Sequence, residues 1–403
     1  MGSWIYYFPF HIIFNKLLLL MKIGILYPRS NAHPGLMMDF IDGIKTAVQQ
    51  QLLNEKMLLI TESISFGGNE KEAYEKAEKL LVLENVDMLV AYIDQRILEI
   101  LKPLLDASGK LILVVNPGAN YPQNWQPQPN IVNLTLQHAF LCRLAGKLAS
   151  SLNNTNATMA TTFYDCGYLH TSAIVNAFVR SGGQITYNYV NNLRYDETFN
   201  IEQLTTYLSS DKETSSLLCV FDSLPASLFY ALLNTYQGAD TISLFVSPMM
   251  LEQKAFEKMG EGFKFSIDGY LPWHASLENN ANRMFLDIYS QQTKRAASVF
   301  SILGWETGLI LQEIFLHGNH NYVDGAAIAR KLAEVEIDSP RGGIKLDIET
   351  NYFVAPVCKC SIKQNSATPL IEWMEIPEKE WTTFVNIPNE VVSSGWMNTY
   401  LCY

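Results

Sequence analysis

Three groupings of side chains in this sequence have types and spacings that could support chemistry. Asp165, Cys166 and His170 fall together in the segment 164–170 (YDCGYLH). A carboxylate, a thiol and an imidazole so close can be drawn as a nucleophile with its base. The same composition is what a turn requires, and a turn is the commoner explanation. His317 and His320, in HGNHN, offer two imidazoles that could grip a metal. They follow a helical stretch, and a histidine at a helix end is favoured by the helix dipole alone. Cys358 and Cys360 share one face of a strand, but no second ligand pair accompanies them as zinc spacing would require. No GxxxxGK phosphate loop and no GxSxG elbow occurs. The chain therefore reads as a binding protein, with no catalytic residues, no metal and no cofactor.

The elements that would position a binding site follow from size and pattern. At 403 residues the chain is long for one hydrophobic core, so two or three α/β-sized domains are expected. Hydrophobic residues make up 48% and charged residues 17%, which is a globular balance. A net charge of −11 argues against nucleic acid as a partner, since counterion release needs clustered Lys and Arg. Of the six cysteines, Cys142 and Cys219 lie in apolar stretches and read as small core residues. Residues 1–20 are apolar but interrupted by Pro9, His11, Asn15 and Lys16, too broken for a membrane helix of about 20 residues. They read either as a degenerate export signal or as an extension upstream of a true start at Met21.

From Met21 onward, short apolar runs alternate with amphipathic stretches. Strands are expected at 22–27, 57–60, 88–92 and 111–115, with helices at about 35–53, 70–84 and 95–107. Gly68, Asn69 and Glu70 supply a cap and an acidic first turn for the second helix. After a Pro-, Gln- and Asn-rich loop at 116–130, the rhythm restarts with a strand at 131–134 and a helix at 138–152. Strands at 158–163, 184–190, 217–221 and 242–246 follow, separated by helices near 169–181, 199–210, 224–237 and 250–259. Further helices are expected at 279–293, 298–316 and 324–336, and strands near 344–348, 352–362 and 369–376. Strands alternating with helices of this length build parallel sheets covered on both faces. Two successive sets of similar size imply two similar α/β domains.

In open α/β sheets the ligand sits beyond the carboxyl ends of the strands. The informative loops are then 28–35 (PRSNAHPG), 93–95, 116–122 (NPGANYP), 164–170, 222–224 and 247–250 (SPMM). Together they carry hydroxyls, amides, a few charges and several aromatic rings, a mix suited to polar recognition between aromatic walls.

These segments, in this order, resemble the leucine-, isoleucine- and valine-binding branch of the type I periplasmic binding proteins. KIGILYPRS followed by GLMMDFIDGIKTAV looks like the family's first strand, site loop and first helix. NEKEAYEKAEKLLVLENVDMLVAY resembles its second helix and third strand, LILVVNPGANYP its fourth strand and following loop, and SPRGGIKLDIETNYFVAPV its closing GPRG-type segment. The resemblance covers about residues 21–362 and implies two Rossmann-like, doubly wound domains joined by a three-segment hinge. Hinge crossings would fall near 132–136, 268–273 and 337–342. The N-terminal lobe would comprise 21–133 plus 272–338, and the C-terminal lobe 134–271 plus 339–362. A small-molecule ligand would bind in the cleft and the lobes would close on it.

Residue by residue, the resemblance places Gly118 and Asn120 where the family's loop offers an amide and a hydroxyl to a ligand carboxylate. Tyr168 matches a tyrosine after the first strand of the second lobe, Phe221 and Asp222 its second contact loop, and Ser247 the loop after a later strand. Asp94 lies in the loop after the third strand. Phe300 corresponds to a ring near the cleft, and Trp305 to a tyrosine on the helix after the hinge; ordinary helix packing competes with both readings. Met249 stands where the family commonly has an acidic residue for a ligand ammonium, which leaves Asp222 or Asp165 as substitutes. Arg29 and His33 replace the usual small polar residues of the first loop, and Arg29 could pair with a carboxylate or simply face solvent.

The implied role is capture of an amino acid or related carboxylate or amide for an ABC-type importer, with a membrane permease as partner and a periplasmic address. A cytosolic sensing module of the same fold is the alternative, and it suits free cysteines and a start at Met21. An enzyme on a related scaffold is the third class. The tail, 363–403, holds Trp373, Trp381, Trp396, Tyr400 and Tyr403, and such aromatic density is expected to pack on the body.

Overall fold

The computed structural model describes residues 20–400 apart from 51–52, 54, 123–124, 153–154, 164–168, 192–198, 211–215, 259–261, 318–323, 367, 377 and 388–399. In chain order the first half runs β1 (Met21–Tyr27), α1 (Leu36–Gln50), β2 (Met57–Ser63), α2 (Glu70–Glu78), β3 (Met88–Tyr92), α3 (Gln95–Ser108), β4 (Leu111–Asn116) and β5 (Ile131–Thr135). It continues with α4 (His138–Ser151), β6 (Asn156–Thr162), α5 (Leu169–Arg180), β7 (Gln184–Asn191), α6 (Glu202–Ser210), β8 (Ser216–Val220), α7 (Ser223–Thr235) and β9 (Ser243–Val246). The remainder is β10 (Ser266–Leu271), α8 (Asn280–Thr293), α9 (Val299–His317), α10 (Gly325–Leu332), β11 (Glu336–Ser339), β12 (Gly342–Asp347), β13 (Tyr352–Val354), β14 (Val357–Ile362), β15 (Leu370–Met374) and α11 (Glu378–Val385).

Two sheets result. The first has eight strands in the order β11-β12-β13-β5-β4-β3-β1-β2, and the second has seven in the order β15-β14-β10-β9-β8-β6-β7. Within each, five parallel strands follow the doubly wound order 2-1-3-4-5; in the first sheet β13 adds a sixth parallel strand before the antiparallel β12 and β11, and in the second the antiparallel β14 and β15 complete the edge. Helices cover both faces, which is why β3 and β4 are buried along their whole length and read as unbroken apolar runs.

Local signals act where the sequence puts them. The Asn69 side chain accepts the Glu72 N–H and starts α2, and Asp94 accepts the Arg96 N–H and starts α3. The apolar helix α9 would be long enough to cross a membrane, but 83% of its window Val299–Leu316 is buried and it serves as a core helix. It lies so close to α1 that a Cβ on Gly304 would stand 2.0 Å from the Phe40 carbonyl oxygen.

Three expectations need correction. The stretch 250–259 forms no α-helix; two short 3₁₀ turns, Pro248–Leu251 and Gln253–Phe256, flank an extended Glu252. The stretch 352–362 is two strands in different sheets, β13 in the first and β14 in the second. The last crossing between sheets therefore lies at Ala355 and Pro356, later than the 337–342 expected, because β11 and β12 form an antiparallel hairpin that stays on the first sheet. Pro356 cannot donate to a ladder, so the strand ends there. Strands 342–347 and 352–354 consequently belong with the N-terminal lobe rather than the C-terminal one. The apolar stretch 1–19 lies outside the described residues.

The tail packs back on the body. β15 pairs with β14, and Trp381 on α11 is buried among Tyr121, Trp125, Phe140 and Phe384. Trp396 and Tyr403 lie outside the described residues.

Candidate functional site

In each lobe the strand order reverses between the first and third strands of the parallel set, so the loops after β1 and β3, and after β6 and β8, flank the two switch points. These points face one another. His33, in the loop after β1, places its Nε2 3.8 Å from Asp222 Oδ1, in the loop after β8, and both side chains are buried. His33 Nδ1 is 3.4 Å from Lys254 Nζ, which stands at the mouth of the cleft. The ring of Phe300, at the start of α9, meets His33 edge-on at 5.4 Å.

Around this contact lies a concentration of partly or wholly buried polar groups. Glu252 accepts a hydrogen bond from the Tyr400 hydroxyl, which also lies 3.4 Å from His138 Nε2. His138 and His170 stand 5.7 Å apart, ring centre to ring centre. Burial, the neighbouring His170 and Arg341 hold His138 well below the usual imidazole range. Burial lowers His170 to about 4 against the pull of Asp222, so both rings are neutral at neutral pH. Among the described residues, the fully buried Ser247 hydroxyl and Tyr92 hydroxyl make no protein hydrogen bond. A chamber of about 660 Å³ opens beside this cluster, walled by His33, Asp39, Glu252, Lys254, Trp273 and Phe300.

The structure gathers some of the residues that sequence reasoning singles out and separates others. Asp222 and Phe300 stand on either side of His33, and Ser247 is buried at the end of β9. Asp94 and Asn120 form a buried pair, the Asn120 amide donating to Asp94 at 3.1 Å while the Asn120 carbonyl oxygen has no protein donor. Gly118 turns with φ +73°, and its N–H is taken by the Asn116 side chain at 2.8 Å. A Cβ there would lie 2.8 Å from the Gln137 nitrogen, so the position demands glycine. Arg29 is exposed to solvent. Phe221 stacks on Phe229 at 4.6 Å inside the second lobe, and Trp305 packs edge-on against Phe285 at 5.1 Å, both core contacts. Tyr168, with Asp165 and Cys166, lies outside the described residues.

His138, Glu252 and Tyr400 enter the cluster without being anticipated. Glu252 sits just past the SPMM loop in a stretch whose pattern suggests a helix, and Tyr400 carries no local signal that would bring it back to the first loop. Met249, in place of the family's acid, is buried in the same apolar cluster as Tyr92, Phe300 and Tyr400.

Burial raises Glu252 to about 8, reinforced by Asp222 and opposed by the Tyr400 hydrogen bond and Lys254. Burial likewise raises Asp94 to about 6. A carboxyl held above its ordinary range keeps a proton in the folded protein that the unfolded chain gives up. Its contribution to stability is thus complete below about pH 4 and is lost as pH rises through the folded value. Unfolding free energy should fall between about pH 4 and pH 8 by on the order of 5 kcal/mol. Glu252→Gln should flatten most of that slope, as read by urea unfolding at each pH; an unchanged slope would remove Glu252 as its source.

Two doubly wound lobes, three chain crossings and a polar cleft between facing strand ends define a two-lobed ligand-binding protein. The chain belongs to the periplasmic binding protein family, which it matches over residues 21–363. As such it is a solute-binding protein and not an enzyme. Solved structures agree on the fold. A benzoate-bound ABC-transporter solute-binding protein from R. palustris shares 18% identity at TM-score 0.69, covering 90% of this chain and 98% of that one. An ABC transporter substrate-binding protein from Sphaerobacter thermophilus shares 15% at TM-score 0.74, covering 89% and 98%. The isoleucine-bound branched-chain amino acid transporter substrate-binding protein LivJ from Streptococcus pneumoniae shares 13% at TM-score 0.66, covering 88% and 99%. A search of curated proteins returned no match.

Proposed function

We propose that this chain captures a small organic carboxylate between its lobes, closes on it by hinge bending, and delivers it to the permease of an ABC-type importer. The observation that carries the reading is the meeting of both switch points at His33 and Asp222, with buried polar groups converging from each lobe. Phe300 supplies an apolar wall, His33 and Lys254 supply donors for a carboxylate, and Ser247 and Asn120 hold unspent hydrogen-bonding capacity.

Within that class, two ligand chemistries fit different parts of the cleft. An amino acid would place its ammonium against Asp222, since Met249 cannot receive it. An aromatic carboxylate would use the apolar face formed by Met249 and Phe300; related structures with benzoate and with isoleucine support either choice. A thermal-shift panel of α-amino acids, benzoate, hydroxybenzoates and short amides decides between them. A true ligand at 100 times its Kd adds about 2.7 kcal/mol, a rise of a few degrees in Tm. Asp222→Asn should abolish a shift caused by amino acids and leave one caused by benzoates. No shift from any carboxylate would reject the proposal.

A further inference from the structure

We infer that the cleft contains a subsite for a para-hydroxyphenyl group and that the chain's own Tyr400 occupies it, competing with free ligands of phenolic chemistry. The inference rests on the cleft being the solute site. Tyr400 is 1% exposed, although the residue it touches in the first loop, Ser30, is 370 positions away in sequence. Its ring meets three others edge-on: His33 at 5.0 Å, Phe300 at 5.1 Å and His138 at 5.6 Å. Edge-to-face packing of this kind selects a flat ring over an aliphatic chain of similar volume. The hydroxyl donates to Glu252 and approaches His138, while the backbone carbonyl accepts the Ser30 hydroxyl.

These partners come from both lobes. Ser30, His33 and Phe300 belong to the first, and His138 and Glu252 to the second, so Tyr400 bridges the cleft as a bound solute would. Tyr400 has φ +74°, a left-handed conformation that a bulky side chain adopts only where its surroundings hold it. Met249 is a buried member of the same apolar cluster as Tyr400, at a position where an acid would have favoured an ammonium instead of a ring. The neighbouring chamber of about 660 Å³ shares His33, Glu252 and Phe300 with this subsite, leaving room for the rest of a larger ligand.

A tethered group competes at an effective concentration in the millimolar range, without any added solute. Free ligand then binds only to the fraction of molecules in which Tyr400 has left, and its apparent affinity drops by that fraction. N-acetyl-L-tyrosinamide reproduces the phenol and a carbonyl for Ser30, and N-acetyl-L-phenylalaninamide lacks only the hydroxyl. By isothermal titration, Tyr400→Ala in the full chain should bind the tyrosine compound at least about tenfold more tightly than the wild type does. The phenylalanine compound should bind that variant several-fold more weakly, because Glu252 and His138 lose their partner. Equal affinity of wild type and variant, or no binding of the tyrosine compound to the variant, would overturn the inference.

If the variant ignores the tyrosine compound yet is stabilised by an amino acid or benzoate, the phenol subsite fails and the receptor reading stands. If no solute stabilises either protein, both fail. Should Tyr400→Ala not fold, Tyr400→Phe keeps the ring and removes the hydroxyl. It should still bind the tyrosine compound measurably more tightly than the wild type, and unchanged affinity would again overturn the inference.

Discussion

Arg341→Met is expected to lower the unfolding free energy by about 3–5 kcal/mol, the usual cost of stranding one member of a buried ion pair. Arg341 is 1% exposed and Glu306, on α9, is wholly buried. The guanidinium grips the carboxylate with two prongs, Nε to Oε1 at 2.7 Å and Nη2 to Oε2 at 2.5 Å. Ser339 donates to the same carboxylate, and Arg341 Nη1 donates to the Thr135 carbonyl at 3.2 Å. Removing the arginine leaves a wholly buried carboxylate to which the Ser339 hydroxyl still donates. The double change Glu306→Met with Arg341→Met should recover most of the loss, since apolar replacement of a whole buried pair is often neutral. Urea unfolding of the three proteins measures both terms. If the double variant is no more stable than Arg341→Met alone, the penalty is not a stranded charge.

The same pair locates a hinge. Thr135 ends β5, where the chain first leaves the N-terminal lobe, and the Arg341 carbonyl accepts the indole N–H of Trp373 from β15 of the other sheet at 2.9 Å. Arg341 therefore ties the first crossing, at Thr135, to the edge of the second sheet, at Trp373.

What the sequence revealed and withheld follows from the range of the interactions concerned. Buried parallel strands such as 88–92 and 111–115 announce themselves as apolar runs, and a cap such as Asn69 acts within three residues, so both could be read locally. Pro356 is also a local signal, but the run 352–362 is apolar across it, and only pairing partners distant in sequence show that its halves join different sheets. The loops after the strands were legible as a site because topology places them there whatever their composition. Which side chains enter the cleft was less legible. Phe221 and Trp305 are apolar residues beside site loops, and whether such a ring faces a cleft or a core depends on one turn of backbone. Glu252 and Tyr400 depend on long-range packing with no local pattern, so only the assembled fold reveals them.

Trp381→Ala should cost about 3–5 kcal/mol, as expected for emptying a buried aromatic site. Such a loss is large for a residue in the tail, because α11 lies across the hinge instead of along one lobe. The indole is 5% exposed and donates to Asp347 Oδ2 of the first sheet at 2.7 Å. Its ring meets Trp125 at 6.1 Å and Tyr121 at 6.2 Å, beside the loop before β5, and Phe140 at 5.6 Å on α4 of the second lobe. Glu380, the preceding residue, pairs with Lys147, also on α4. Trp381→Phe keeps most of the apolar contact but removes one donor from Asp347, which still accepts from the Thr350 hydroxyl and the Glu349 N–H, and should cost about 1 kcal/mol. The order alanine, phenylalanine, wild type in Tm would assign the effect to packing across the crossings. A phenylalanine variant as unstable as the alanine one would assign it to the hydrogen bond with Asp347. Because α11 touches both lobes, the alanine variant should also loosen their relative motion, seen as faster amide exchange at the crossings Thr135, Leu271 and Ala355 than in the strand cores β3 and β8.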